Sequence, residues 1–391
     1  MSISQNFPEE GPTLNLNFAG SKTLDPRITF SRTTTGTYMD DSGLIVTAPA
    51  DAPRFDHRYV NGEIESLGLL VEEGRTNLVT DSNGGDYGYD MSSGGSPTND
   101  IAPDGSTVAC KYDLSSATGS PFLNCNVDTT LTNGVTYTMS MWVKGTTEFT
   151  VALAFVGETN YTVTSRNMNV TTSWTRETYT FTLSGNQTNS RLQVFFGTQG
   201  QGKIISIWGA QLEEGAFATS YIPRSAGSQS TRNPDSVTMT GNNFSDWYNQ
   251  DEGTIYVSQK LRAVQDTGRN NLVYLINANG NGNDYFYNTN KGNQHIFVFG
   301  DGGTNYSRFA DAADSTDSKT AWAYDVSGDD FKAYYNGIEA TNETNNNTPS
   351  ATSHTQLELG ATAVAKYCGH IQQFVYYPKR LTNTQLQNLT K

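Results

Sequence analysis

The sequence predicts an all-β protein: two antiparallel β-sandwich (jelly-roll) domains preceded by a small irregular β module. Three observations predict it. Strand-length runs of aromatic and β-branched residues recur along the 391 residues, separated by Asn-Gly, Ser-Gly and Gly-Gln-Gly turns; such turns fold one strand back on the next. The 21 Tyr, 18 Phe and 5 Trp give apolar mass to a chain with only 16% charged residues, so cores form where the Gly, Asn, Ser and Thr content alone would suggest disorder. Helical periodicity is confined to the last few residues. The length suits two or three domains.

Residues 1–80 are expected to form an N-terminal arm and an adaptor or assembly module. Leu14, Leu16 and Phe18 alternate with Asn15, Asn17 and Ala19, the period of a half-buried strand. Short strands are expected at Ile28–Arg32, at Leu44–Val46 after the turn Met39–Gly43, and at Arg54–Asp56. The turn Asn61-Gly62 precedes a further strand, Leu67–Val71. The module has little core of its own, so residues 1 to about 24 are expected to extend as a docking arm. Small β modules of this kind gain stability by assembling. Glu72, Glu73, Arg75 and Asn77 are its candidate assembly residues, with a buried Arg75–carboxylate pair as the plainer alternative.

Residues 81–224 open on the Gly/Asp/Ser-rich stretch Asp81–Gly95. The expected strands are Val135–Val143, Phe149–Val156, Asn160–Thr164, Thr175–Leu183, Leu192–Phe196 and Ile204–Gln211, a jelly-roll set. The Ser/Gly/Arg-rich Pro223–Pro234 is the next boundary. Residues 235–391 carry expected strands at Gly253–Lys260, Leu272–Ile276, Tyr285–Tyr287, His295–Phe299, Thr320–Tyr324, Phe331–Tyr335, Gln356–Leu359 and Gly369–Tyr377. Asn336-Gly337 is a hairpin signal. Thr382–Leu389 reads as one short helix capped by Thr382.

Charge narrows the functions. The formal net charge of −14, from 39 acidic and 25 basic side chains, repels phosphate backbones and argues against a nucleic-acid partner. Cys110, Cys125 and Cys368 are too few for a disulfide framework and lack metal-ligand spacing. Buried thiols are expected, with a Cys110–Cys125 bridge as the alternative. Met1–Gly20 has no positive segment followed by an apolar run, so no secretory signal is expected. No stretch has the length of a membrane span.

Three sets of residues resemble modules of tailed-phage structural proteins. The first is Thr29–Tyr38, Gly43-Leu-Ile, Pro53–Asp56 and Gly68–Leu78, similar to the N-terminal module of phage fibres and head spikes. The second is Ile207–Glu213 with Gly215–Pro223, preceded by Tyr137–Lys144 and Ser173–Arg176, similar to carbohydrate-binding-module-like jelly rolls. The third is Trp322-Ala-Tyr324, Tyr335-Asn-Gly337, Gly369-His-Ile371 and Phe374–Leu381, similar to a laminin-G-like, concanavalin-type sandwich. The resemblance implies a virion fibre, spike or decoration, commonly a homotrimer, attached to other virion proteins through its N-terminal region and binding host-surface glycans. The alternative is a stand-alone or accessory carbohydrate-binding protein.

Catalysis finds no support in the sequence. His57, His295, His354 and His370 are scattered, without a nucleophile elbow, a His-Glu-x-x-His or a phosphate loop. The pairs Glu72/Glu73 and Glu213/Glu214 are strand neighbours, which face opposite ways. Sugar sites combine an aromatic ring with amide or acidic side chains. Tyr285 and Tyr287 with Asn283, Asp284 and Asn288 have that composition, although the same pattern describes a strand with Phe286 inward. Trp142, Trp174, Trp208 and Trp322 are expected to fill cores. No cofactor is expected. Structural calcium would need Asp311, Asp314 and Asp317, or Asp325, Asp329 and Asp330, neither set having calcium-loop spacing; solvated loop acids are the plainer reading.

Overall fold

The computed structural model describes residues 8, 10–82, 90–91, 96–127, 129–158, 162–224, 230–262, 273–276, 285–291, 294–301, 304–311, 316–328, 330–344, 354–360 and 367–391. The chain is all-β, and it divides into two compact units. The first unites residues 1–43, 48–73 and 233–391; the second holds residues 44–47 and 74–232. This division differs from the expected three parts, because the N-terminal segment shares its core with the C-terminal sandwich.

The strand pairings show why. Leu14–Asn17 and Glu63–Glu72 both pair antiparallel with Cys368–Tyr377, while Thr29–Ser31 pairs with Ser236–Thr240. Leu14, Leu16, Phe18, Leu69 and Val71 bury into one cluster with Ile255, Trp322, Leu357, Phe374 and Tyr376. The apolar rows read as a core too small to stand alone complete a larger one. The arm expected over residues 1 to 24 is therefore, from Leu14 to Phe18, part of its own sheet and core; residues 1–7 and 9 lie outside the described residues.

The first unit's two sheets are built on this core. One runs Ile338–Glu339, Asp330–Tyr335, Asp317–Asp325, Glu252–Leu261, Cys368–Tyr377, Glu63–Glu72, Arg54–Val60. The other runs Thr29–Ser31, Ser236–Thr240, Gln356–Leu359, Val273–Ile276, Tyr285–Lys291, Gln294–Asp301, Thr304–Asp311, Asn342–Thr344. Asn61-Gly62 and Asn336-Gly337 turn two of the hairpins with φ of 52° and 89°, and 46° and 80°. Both residues of each pair are left-handed, the geometry that matches the twist of the flanking strands. Thr382 caps the helix Asn383–Thr390 in a capping box with Gln385. Its Leu386 packs on Ala321, Ala323, Tyr334 and Val375, on the side of the sheet opposite Trp322 and Tyr324.

Charge is also buried here. The Asp235 carboxylate takes Arg32 Nη1 at 2.9 Å and Arg54 Nη2 at 2.6 Å, and Arg54 Nη1 reaches Glu72 at 2.8 Å. All four side chains are fully buried. Burial opposes the charge on Arg54, but the Asp235 and Glu72 carboxylates overcome it and raise its pKa above the ordinary arginine value.

The second unit has two five-stranded antiparallel sheets. One is Thr175–Thr182, Thr136–Gly145, Ile204–Glu214, Ala109–Asp113, Ser96–Asp100; the other is Thr162–Val170, Phe149–Gly157, Ser190–Phe195, Phe122–Val127, Asp90–Met91. Tyr137, Met139, Met141, Val151, Leu153, Phe155, Leu192, Ile207 and Leu212 meet between them. A strand is present at each expected place in this region; Thr162–Val170 runs further than the expected Asn160–Thr164, of which residues 160–161 lie outside the described residues. Cys110 and Cys125 lie in opposite sheets, and all three cysteines are buried thiols outside any disulfide.

Candidate functional site

The outer faces of the second unit's two sheets differ in what covers them. On the first sheet, alternation sends Thr138, Ser140, Trp142, Trp208, Gln211 and Glu213 away from the core. Residues 215–224 then lie over this face. Thr138 donates to Gly215 O at 2.8 Å, Arg176 to Thr219 O at 2.7 Å, Gln211 to Ser220 O at 3.3 Å, and Ile222 N to Gln211 Oε1 at 2.7 Å. Trp142, Trp208 and Tyr221 pack ring against ring at 4.5–5.7 Å, and the Arg176 guanidinium lies 4.5 Å over Trp142. These tryptophans do fill a core, but a second one on the outside of the sheet. A bulge between Ser140 and Trp142 fits this packing, and Gly209 opposite it has φ of 68°.

The second sheet carries no such cover among the described residues. With Leu123, Cys125, Val127, Val151, Leu153, Phe155, Leu192 and Val194 in the core, the alternate residues form an outward face. Register aligns it in rows: Asn167, Ala152, Phe195, Phe122; then Ser165, Ala154, Gln193, Asn124; then Val163, Val156, Arg191, Asn126. Four strands of three rows span ~14 Å by ~14 Å. Ala152 and Ala154 leave a low floor at its centre. Phe195, 39% exposed, stands beside it. Gln193 Nε2 donates to Asn124 Oδ1 at 2.9 Å, which leaves the Gln193 carbonyl and the Asn124 amide hydrogens outside that bond. An aromatic ring for the apolar face of a sugar, with an acceptor and a donor side by side for its hydroxyls, is what glycan recognition requires.

Sequence reasoning had located none of these residues as a site. The alternation Phe122-Leu-Asn-Cys-Asn-Val127 carries a strand signal, but two Asn and a Cys break its apolar run. Ala109–Asp113 and Thr304–Asp311 are further strands the sequence reading lacked.

The residues that were singled out are placed as follows. Asn283 and Asp284 lie outside the described residues. Tyr285, Tyr287 and Asn288 lie on the strand Tyr285–Lys291. Tyr287 pairs with Tyr274 and Val298, and Asn288 pairs with Phe297. Glu72 is fully buried, bonded to Arg54 and 2.9 Å from Arg262 Nε. Asn77 is fully buried as well, donating to Ala210 O and Ile222 O and accepting from Leu212 N. Neither has surface to offer another subunit. Glu73 is buried, and the Arg75 guanidinium lies 5.1 Å over the Phe217 ring.

Asp317 is ion-paired with Lys260 at 2.5 Å and Asp330 with Arg380 at 2.7 Å. Asp325 accepts from Ser327 and Gly328, bonds that hold its carboxyl below the usual carboxylate range. Asp314 and Asp329 lie outside the described residues. No cluster of three His, Cys, Asp or Glu able to hold a metal occurs among the described residues. No helix there is long and apolar enough to cross a membrane.

Comparison with curated proteins finds no match. Among solved structures, the chain is similar to the Ruminococcus gnavus IT-sialidase CBM40 bound to α2,3-sialyllactose (19% identity, 36% of this chain and 83% of that one, TM-score 0.31). It is also similar to a Family 16 Carbohydrate Binding Module-2 (17%, 35% and 99%, TM-score 0.26) and to the CBM22-1-CBM22-2 tandem of Paenibacillus barcinonensis Xyn10C (9%, 78% and 96%, TM-score 0.29). Likenesses this distant say nothing of the ligand. The family Carbohydrate binding domain matches residues 113–201, and the four long strands of the open face all lie within them.

Proposed function

We propose that this protein binds glycans, without catalysis, on the outer face of the sheet that carries Phe122, Asn124, Gln193 and Phe195. The observation that carries the proposal is this uncovered, aligned face within the segment matched by a carbohydrate-binding domain family. Titration calorimetry of the full-length protein against cellohexaose, xylohexaose and mannohexaose tests it. One of these hexaoses binds, and Phe195→Ala weakens that binding about tenfold by removing the ring. Binding that survives Phe195→Ala and Gln193→Ala unchanged would move the site elsewhere, the row of Tyr285 and Tyr287 being the next candidate.

The protein is further proposed to be displayed on a tailed-phage virion as a homotrimer, where many copies multiply weak glycan contacts. The motifs of residues 29–78 support this by their resemblance to fibre and head-spike modules. A monomeric solution mass for the full chain would count against the trimer, and host adsorption unchanged by loss of the protein would count against display.

A further inference from the structure

Among the described side chains of the four long strands, the open face has one charged feature, and it is neutralised. Arg191 projects from the strand Ser190–Phe195 in the row of Val163, Val156 and Asn126. Its Nη1 lies 2.5 Å from Glu158 Oε1, just past the end of the neighbouring strand Phe149–Gly157. Glu158 is fixed there by its own backbone, whose N donates to Asn189 O at 2.9 Å. Every other outward side chain described on the four long strands is uncharged: Thr150, Ala152, Ala154, Val156, Val163, Ser165, Asn167, Asn169, Phe122, Asn124, Asn126, Gln193 and Phe195. The Arg191 side chain is 20% exposed and that of Glu158 is 53%. The guanidinium thus borders the ligand face while the carboxylate covers its charge from the solvent side.

A partly exposed guanidinium whose charge one carboxylate already offsets has little net attraction left for a second carboxylate. A glycan bearing carboxylates would meet Glu158 already in place and would be repelled by it. A neutral glycan meets no such obstacle, because hydroxyls bond to an ion-paired guanidinium without displacing its partner. We infer that the Arg191–Glu158 pair sets the specificity of this face, admitting neutral glycans and excluding carboxylated ones. The inference rests on the proposed glycan site. Glu158 acts through Arg191 and is a positioning residue: removing its charge turns the same face into an acceptor for uronate-bearing chains.

The test compares the wild-type protein, Glu158→Gln and Glu158→Gln/Arg191→Gln, each titrated with hexagalacturonate and with whichever of cellohexaose, xylohexaose and mannohexaose binds the wild type. The readout is the ratio of acidic to neutral affinity. Glu158→Gln raises this ratio about tenfold, the worth of one charge-assisted contact, and the added Arg191→Gln abolishes the gain. The gain also shrinks at high salt, as an electrostatic contact requires. A ratio unchanged in Glu158→Gln, or a wild type that already prefers hexagalacturonate, overturns the inference and leaves the glycan site standing. If neither wild type nor variant binds any of the four hexaoses, the glycan site itself falls, and the inference with it.

Discussion

Replacing Asp235 with alanine removes a carboxylate on which two guanidiniums and a backbone amide converge. Arg32 Nη1, Arg54 Nη2 and Glu72 N donate to it at 2.9, 2.6 and 2.9 Å, and its side chain has no exposure to water. Arg54 keeps Glu72, and Arg32 keeps the carbonyls of Thr34, Pro49 and Ala52. The two buried guanidiniums then lose the carboxylate they share, out of reach of solvent. Breaking a buried pair from one side costs about 3–5 kcal/mol, mostly through the charge left behind. Against a total stability of about 5–15 kcal/mol, this brings the variant close to unfolding at ambient temperature.

Urea denaturation followed by tryptophan fluorescence and circular dichroism measures the loss as a shift in midpoint at constant slope. Asp235→Asn keeps the shape and one acceptor, and falls between alanine and wild type. A cost for Asp235→Ala below about 1 kcal/mol, the worth of a solvent-exposed pair, would refute the claim that this carboxylate neutralises buried charge.

Two further outcomes are expected. Gly209→Ala destabilises the protein by about 1–3 kcal/mol, read as a lowered melting temperature: a Cβ at φ of 68° would be strained and would lie 2.7 Å from the Trp142 ring. Burial holds the His295 imidazole neutral down to about 3, whereas an unfolded histidine protonates near 6.5. Because only the unfolded chain takes up that proton, its contribution is whole above about pH 6.5 and falls toward pH 3, by up to about 1.4 kcal/mol per unit. The variant His295→Phe, which keeps a ring to stack on Tyr335, flattens that slope in urea titrations run from pH 7 to pH 4.

The sequence by itself determined the local structure. Alternation in Leu14–Phe18, Tyr137–Val143 and Phe149–Val156 marked strands because side chains reverse face at every residue, a relation that needs no distant partner. Asn61-Gly62 and Asn336-Gly337 marked hairpins because both residues of such a turn must be left-handed. Thr382 marked the start of the terminal helix for an equally local reason, the unsatisfied amides of its first turn.

Only the tertiary structure decided which strands meet. That Leu14–Asn17 and Glu63–Glu72 would both pair with Cys368–Tyr377 depends on pairings across some 300 residues or more, which no local window contains. The candidate site is hidden for the same reason. Phe122, Asn124, Arg191, Gln193 and Phe195 are ordinary outward residues on separate strands, and they become one face only when register aligns Phe122 with Phe195 and Asn124 with Gln193. Trp142 and Trp208 were conspicuous in the sequence and are closed off by residues 215–224. Composition shows which residues are able to stack on a sugar; what lies over each sheet determines which of them can be reached.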